Sequence, residues 1–175
     1  RATPILPVTR QRRQPIPQHA PIVIDWGVTK SGPPLLRDHR SPNCGPRQAL
    51  DGAVRVRHLV LHYTGMASGA EALARLCDPA AEVSAHYLIE EDGRVFALVD
   101  EDHRAWHAGR AFWRGVRDIN STSIGIELVN PGHTFGYRPF PPAQVAALTK
   151  QIVDEEARLS ALRARLRRGC RSRPR

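Results

Sequence analysis

Residues 123–130 read SIGIELVN, an apolar run with one carboxylate, Glu127, set between Ile126 and Leu128. A short apolar run bounded by polar residues is the signature of a buried strand. A charge inside such a strand is costly unless it is paired or used. The chain must therefore fold around a central strand and must also supply Glu127 with a partner.

The neighbouring segments supply a fold for that strand. VRVRHLVLHYT (residues 54–64) alternates at first and then becomes continuously apolar, as a half-buried strand does when it turns central. ASGAEALARLCDP carries Ala72, Leu73, Leu76 and Cys77 on one helical stripe, closed by Pro79. SAHYLIEEDGRVFALVD reads as two strands joined by an Asp92-Gly93 turn. EDHRAWHAGRAFWRGVRDINSTS reads as a long loop, and PGHTFGYRPFPP as a Pro/Gly loop. A last helix starts near Pro142, with Val145, Leu148, Ile152 and Val153 on its expected inner face. Strands and helices in one compact region predict an α/β domain with a mixed central β-sheet flanked by helices.

At 175 residues the chain accommodates one ordinary domain. Its formal charge of +9 is concentrated at the ends: residues 1–50 carry +6, residues 51–156 carry −5, and residues 157–175 carry +8. Residues 1–40 are rich in Pro and Arg and read as a disordered extension in which only PIVIDWGV looks strand-like. The domain itself is placed at residues 41–153. The acidic centre and the lack of a nucleic-acid-binding motif argue against a nucleic-acid partner. Cys44, Cys77 and Cys170 have no CxxC spacing and give no disulfide framework. No apolar run approaches the ~20 residues of a membrane span. No signal-peptide layout is visible, so a cytoplasmic location is expected ahead of the alternative, a periplasmic or cell-wall-associated one, and the chain is taken as a monomer.

Five of the eight histidines, His58, His62, His86, His103 and His107, fall within residues 58–107. On a strand, His58, Val60 and His62 point to one face, and His62 comes at the end where α/β sheets tend to form sites. Taken singly, each histidine reads as a hydrogen-bonded structural residue. Taken singly, Glu127 reads as a strand carboxylate reaching solvent or an arginine such as Arg104.

Taken in order, LVLHYT, VSAHYLIEEDGRV, RAWHAG and INSTSIGIELVN resemble the type-2 N-acetylmuramoyl-L-alanine amidases, which share their fold with the peptidoglycan-recognition proteins. The resemblance spans about Ser41 to Val153. It implies a zinc amidohydrolase acting on peptidoglycan or its muropeptide fragments. His62 matches the first zinc ligand and Glu127 the acidic residue across from the metal. His107, with Trp106 and Asn130, matches the substrate cleft, and His86 the strand beneath the site. The position before His86, a catalytic Tyr in one phage subgroup, is Ala85 here. Zinc lowers the pKa of bound water to about 7 and polarises a carbonyl. A neighbouring carboxylate can take the water's proton and deliver it to the leaving amine. The apolar flanks of Glu127 should raise its pKa towards neutrality, which suits that exchange.

The resemblance breaks near the C-terminus, where the family's second and third zinc ligands are expected in a His-x-Asp-type stretch. This chain has no His after His133 and no acid after Glu156. Residues 154–175 are Arg-rich instead. They read either as a solvated basic tail or as an out-of-frame segment, since codons for Gly169–Arg175 allow Asp-Val-Ala-Pro-Gly-Arg one nucleotide later. With His62 as the one ligand, a tetrahedral site is not held. The domain is then C-terminally incomplete, and the reading divides between an amidase and a peptidoglycan-binding homologue without catalysis.

Overall fold

The computed structural model describes residues 35–49, 54, 56–154 and 157. The PIVIDWGV segment and the Arg-rich stretch from residue 158 onward, with Cys170, lie outside the described residues.

A five-stranded mixed sheet forms the centre. Its strands are β1 (Leu35–Leu36), β3 (His58–Tyr63), β4 (Tyr87–Ile89), β5 (Val95–Ala97) and β7 (Ser123–Leu128), in the spatial order β1-β5-β4-β7-β3. The β4–β5 pair is antiparallel, while β1–β5, β4–β7 and β3–β7 are parallel. The strand SIGIEL is thus flanked on both sides by parallel partners, which explains its unbroken apolar run. A second, two-stranded antiparallel sheet joins β2 (Cys44–Pro46) to β6 (His103–Ala105).

Two apolar layers sandwich the main sheet. On one face, Ala72 and Leu76 of helix α1 (Gly69–Cys77) pack on Leu88, Phe96, Leu98 and Val129. Ser68 starts this helix by accepting a hydrogen bond from the Glu71 amide at 3.2 Å, an N-cap contact of about 1 kcal/mol. On the other face, Tyr87, Ile89, Val95, Ala97, Ile124, Ile126 and Leu128 meet Ala147 and Leu148 of α3, a helix over residues 142–154. The hairpin between β4 and β5 turns at Gly93, whose φ of 89° few other residues tolerate. Asp92 Oδ1 accepts the Arg94 amide there at 3.0 Å.

The structure departs from the sequence reading at three places. Leu35 and Leu36, assigned by composition to the extension, pair with Val95 and Phe96 at the sheet edge. The long loop before β7 holds ordered structure: β6 and a short helix, α2 (Ile119–Thr122). Helix α3 is rotated from its expected face. Val145 and Val153 are 44% and 57% exposed, while Gln144, Ala147 and Gln151 are buried. The reason is polar. Gln144 Nε2 donates to Ile89 O at 2.9 Å and Val129 O at 3.0 Å, satisfying two carbonyls where β4 and β7 leave the sheet. An unmet buried carbonyl costs more than an exposed valine.

Candidate functional site

Register decides which side chains meet. Glu127 is the Cα partner of His62 on one side and Leu88 on the other, so all three leave the sheet on the same face. Ser123 and Gly125 precede Glu127 on that face of β7. A Cβ at Gly125 would overlap the imidazole of His107. His107 can therefore pack directly against the strand because residue 125 has no side chain. The loop that carries His107 is held by Asn120, whose Oδ1 accepts the amides of His107 and Ala108 at 3.1 and 2.8 Å.

The result is a cluster of three imidazoles and one carboxylate. His62 Nε2 lies 3.0 Å from His107 Nδ1, and His107 Nε2 lies 3.0 Å from Ser123 Oγ. His86, fully buried beneath His107, takes the Gly125 N–H on Nδ1 at 2.9 Å. Its proton therefore sits on Nε2 and points to His103 O, 3.1 Å away. Arg47 Nη2 approaches the same Nε2 at 2.9 Å and opposes further protonation. Burial, chiefly, pushes His86 down to about 4. Burial, and after it repulsion from His62, His86 and Arg47, pushes His107 down to about 3. Burial also lowers His62. All three rings are thus neutral near pH 7.

Glu127 is shifted the other way. Burial raises its pKa from 4.5 to about 7, and its Oε2 is buried with no hydrogen-bond partner. The arginine alternative fails, because Arg104 pairs with Asp118 at 3.3 Å. Glu127, His107 and Trp106 line a cavity of about 200 Å³ with Thr64, Met66 and Leu76. His62 and His107 line a second of about 550 Å³ with Phe112 and Trp113. His107 is the wall shared by both. Trp106 Nε1 is a buried donor without a partner, available to a carbonyl.

The structure gathers His62, His107, Trp106 and Glu127 but not Asn130. Asn130 is fully buried, donates to Arg138 O at 2.8 Å and accepts the Gly132 amide at 3.0 Å. It secures the turn after β7. The sequence reading missed Gly125, Ser123, Asn120 and Arg47. A glycine inside a strand pattern marks a close approach, so Gly125 carried a signal. Arg47 carried none. Its guanidinium donates to carbonyls of Glu101, Asn120, Ser121 and Ser123, 54 to 76 residues away in sequence.

Metal binding can be tested on this geometry. His62 fits one ligand position, since Nε2 is engaged by His107 and Nδ1 has no hydrogen bond among the described residues. Among those residues, no group of three or more His, Cys, Asp or Glu side chains could hold a metal ion. The described residues therefore do not complete a zinc centre.

Comparison with known proteins settles the family. The family model described as N-acetylmuramoyl-L-alanine amidase matches residues 52–165. The chain belongs to that family. It is 40% identical over 124 residues to N-acetylmuramoyl-L-alanine amidase AmiD of Escherichia coli, covering 64% of this chain and 44% of the relative. It is 43% identical over 72 residues to 1,6-anhydro-N-acetylmuramyl-L-alanine amidase AmpD of the same organism, covering 41% of this chain and 39% of the relative. The solved structure of E. coli AmiD with anhydro-N-acetylmuramic acid-L-Ala-D-γ-Glu-L-Lys superposes with a TM-score of 0.54, over 64% of this chain and 47% of that one. Pseudomonas aeruginosa AmpDh3 with anhydromuramic pentapeptide gives 0.54 at 33% identity, over 63% and 49%. The chain matches less than half the length of each of these relatives. As the resemblance implied, the fold is the mixed α/β sheet of this amidase family.

Proposed function

We propose that this chain hydrolyses the amide between the lactyl group of N-acetylmuramic acid and L-alanine in peptidoglycan fragments. The carrying observation is Glu127: buried, unpaired on Oε2, raised to about 7, and level with His62 in the cleft. A carboxylate at that pKa is near equally able to accept and to donate a proton at neutral pH. It takes a proton from the attacking water as the C–O bond forms. It returns the proton to the nitrogen as the C–N bond breaks, giving a lactyl carboxylate and an L-alanyl amine. Trp106 Nε1 and the His107 ring are assigned to hold the substrate, while Asn130 acts by fixing the turn beyond β7.

Zinc, implied by the resemblance, would be held by His62, but the described residues do not complete its ligand set. The relatives solved with anhydromuropeptides support wall fragments of that kind as the substrate class. Among the described residues no helix is long and apolar enough to cross a membrane. A second reading, binding without hydrolysis, is favoured by the incomplete ligand set among the described residues. Incubation of the full chain with anhydro-N-acetylmuramic acid-L-Ala-D-γ-Glu-L-Lys and mass analysis separates the two. Released peptide supports hydrolysis. Saturable binding of a substrate that stays intact supports the second reading.

A further inference from the structure

We infer that His107 is a positioning residue that, with Ser123, fixes where the proton sits on His62. Ser123 Oγ lies 2.6 Å from Ile119 O and 3.0 Å from His107 Nε2. Two oxygens at 2.6 Å attract only with a hydrogen between them, and a carbonyl has none to give. The one serine hydrogen therefore points at Ile119 O. Ser123 Oγ must then accept from His107, which places the His107 proton on Nε2.

His107 sits against Gly125 between two other imidazoles, and no carboxylate bonds to it among the described residues. The ring is neutral there, so Nδ1 is a bare lone pair. His62 Nε2, 3.0 Å away, must carry the hydrogen that joins them. The chain of donors thus runs from His62 Nε2–H to His107, from His107 Nε2–H to Ser123, and from Ser123 to Ile119 O. Its polarity is set at the serine end, inside the protein, and read out at His62. The consequence is that Nδ1 is the only lone pair His62 presents, and His62 meets any electrophile of the cleft through that atom. A histidine's orienting partner commonly selects its tautomer in this way. This deepens the hydrolytic reading, because His62 faces Glu127. Its test reads proton positions and not turnover, so either can fail without the other.

The experiment is a long-range ¹H–¹⁵N correlation spectrum of the full chain labelled with ¹⁵N-histidine, at neutral pH without added metal. His62 and His107 should each show the pattern of a single Nε2–H tautomer. Ser123→Ala removes the acceptor, and His107→Ala removes the link. In either variant the His62 signal should lose the single-tautomer pattern and average between both forms. A wild-type His62 that is Nδ1–H or already averaged overturns the inference. So does a His62 pattern unchanged in both variants. Should His107→Ala not fold, the wild-type and Ser123→Ala spectra decide it.

Discussion

Glu127 and His62 are Cα partners across the parallel β7–β3 pairing, so carboxylate and imidazole leave the sheet side by side on one face. That relationship answers what a charge does inside SIGIELVN. Burial holds Glu127 near neutrality, and the cleft gives its proton somewhere to go.

The pH dependence of hydrolysis should carry this signature. The attacking step needs Glu127 ionised, so kcat/KM should rise with pH along a limb of apparent pKa near 7. Glu127→Gln should lower the rate by about 10²–10⁴-fold and remove the limb. Initial rates from pH 5 to 9 check it.

Stability should move oppositely with the same group. Its folded pKa of about 7 lies above the ordinary 4.5, so the folded state holds this proton more tightly than the unfolded chain. Its contribution is most favourable below pH 4.5 and is lost as pH rises through 7. The loss is on the order of 2–3 kcal/mol, discounted for partial solvent access. Glu127→Gln should therefore match wild type in denaturant unfolding at pH 4 and exceed it at pH 8.

Gly125→Ala should damage the cleft more than the fold. The new methyl overlaps the His107 ring, and overpacking costs about 1–3 kcal/mol. His107 must lift away from Ser123 and His62, so activity should fall by at least about tenfold. Thermal unfolding and turnover measured on one preparation check both parts.

Arg47→Met should act on the scaffold. The buried guanidinium satisfies the carbonyl of Glu101 before β6 and those of Asn120, Ser121 and Ser123 at α2 and the start of β7. Their loss should cost about 3–5 kcal/mol, measured by chemical denaturation.

What the sequence disclosed followed from periodicity and local chemistry. The strand with Glu127, the Asp92-Gly93 hairpin and helix α1 were legible because each carries its own pattern. The inner face of α3 was not, because Gln144 is buried for carbonyls of Ile89 and Val129 that a hydropathy stripe cannot reveal. The β2–β6 sheet was missed because three-residue strands pair through contacts distant in sequence. His62 and Glu127 were singled out through ordered motifs. Ser123 emerged only from the tertiary hydrogen bonds that join it to His107.

The most direct test of the central claim compares wild type with Glu127→Gln on an anhydromuropeptide at pH 7, following the released L-alanyl peptide by mass spectrometry. The account predicts steady release by wild type, and at least about 10²-fold less from a folded variant that still binds substrate. Equal release by both would show that Glu127 is not the group that moves the proton.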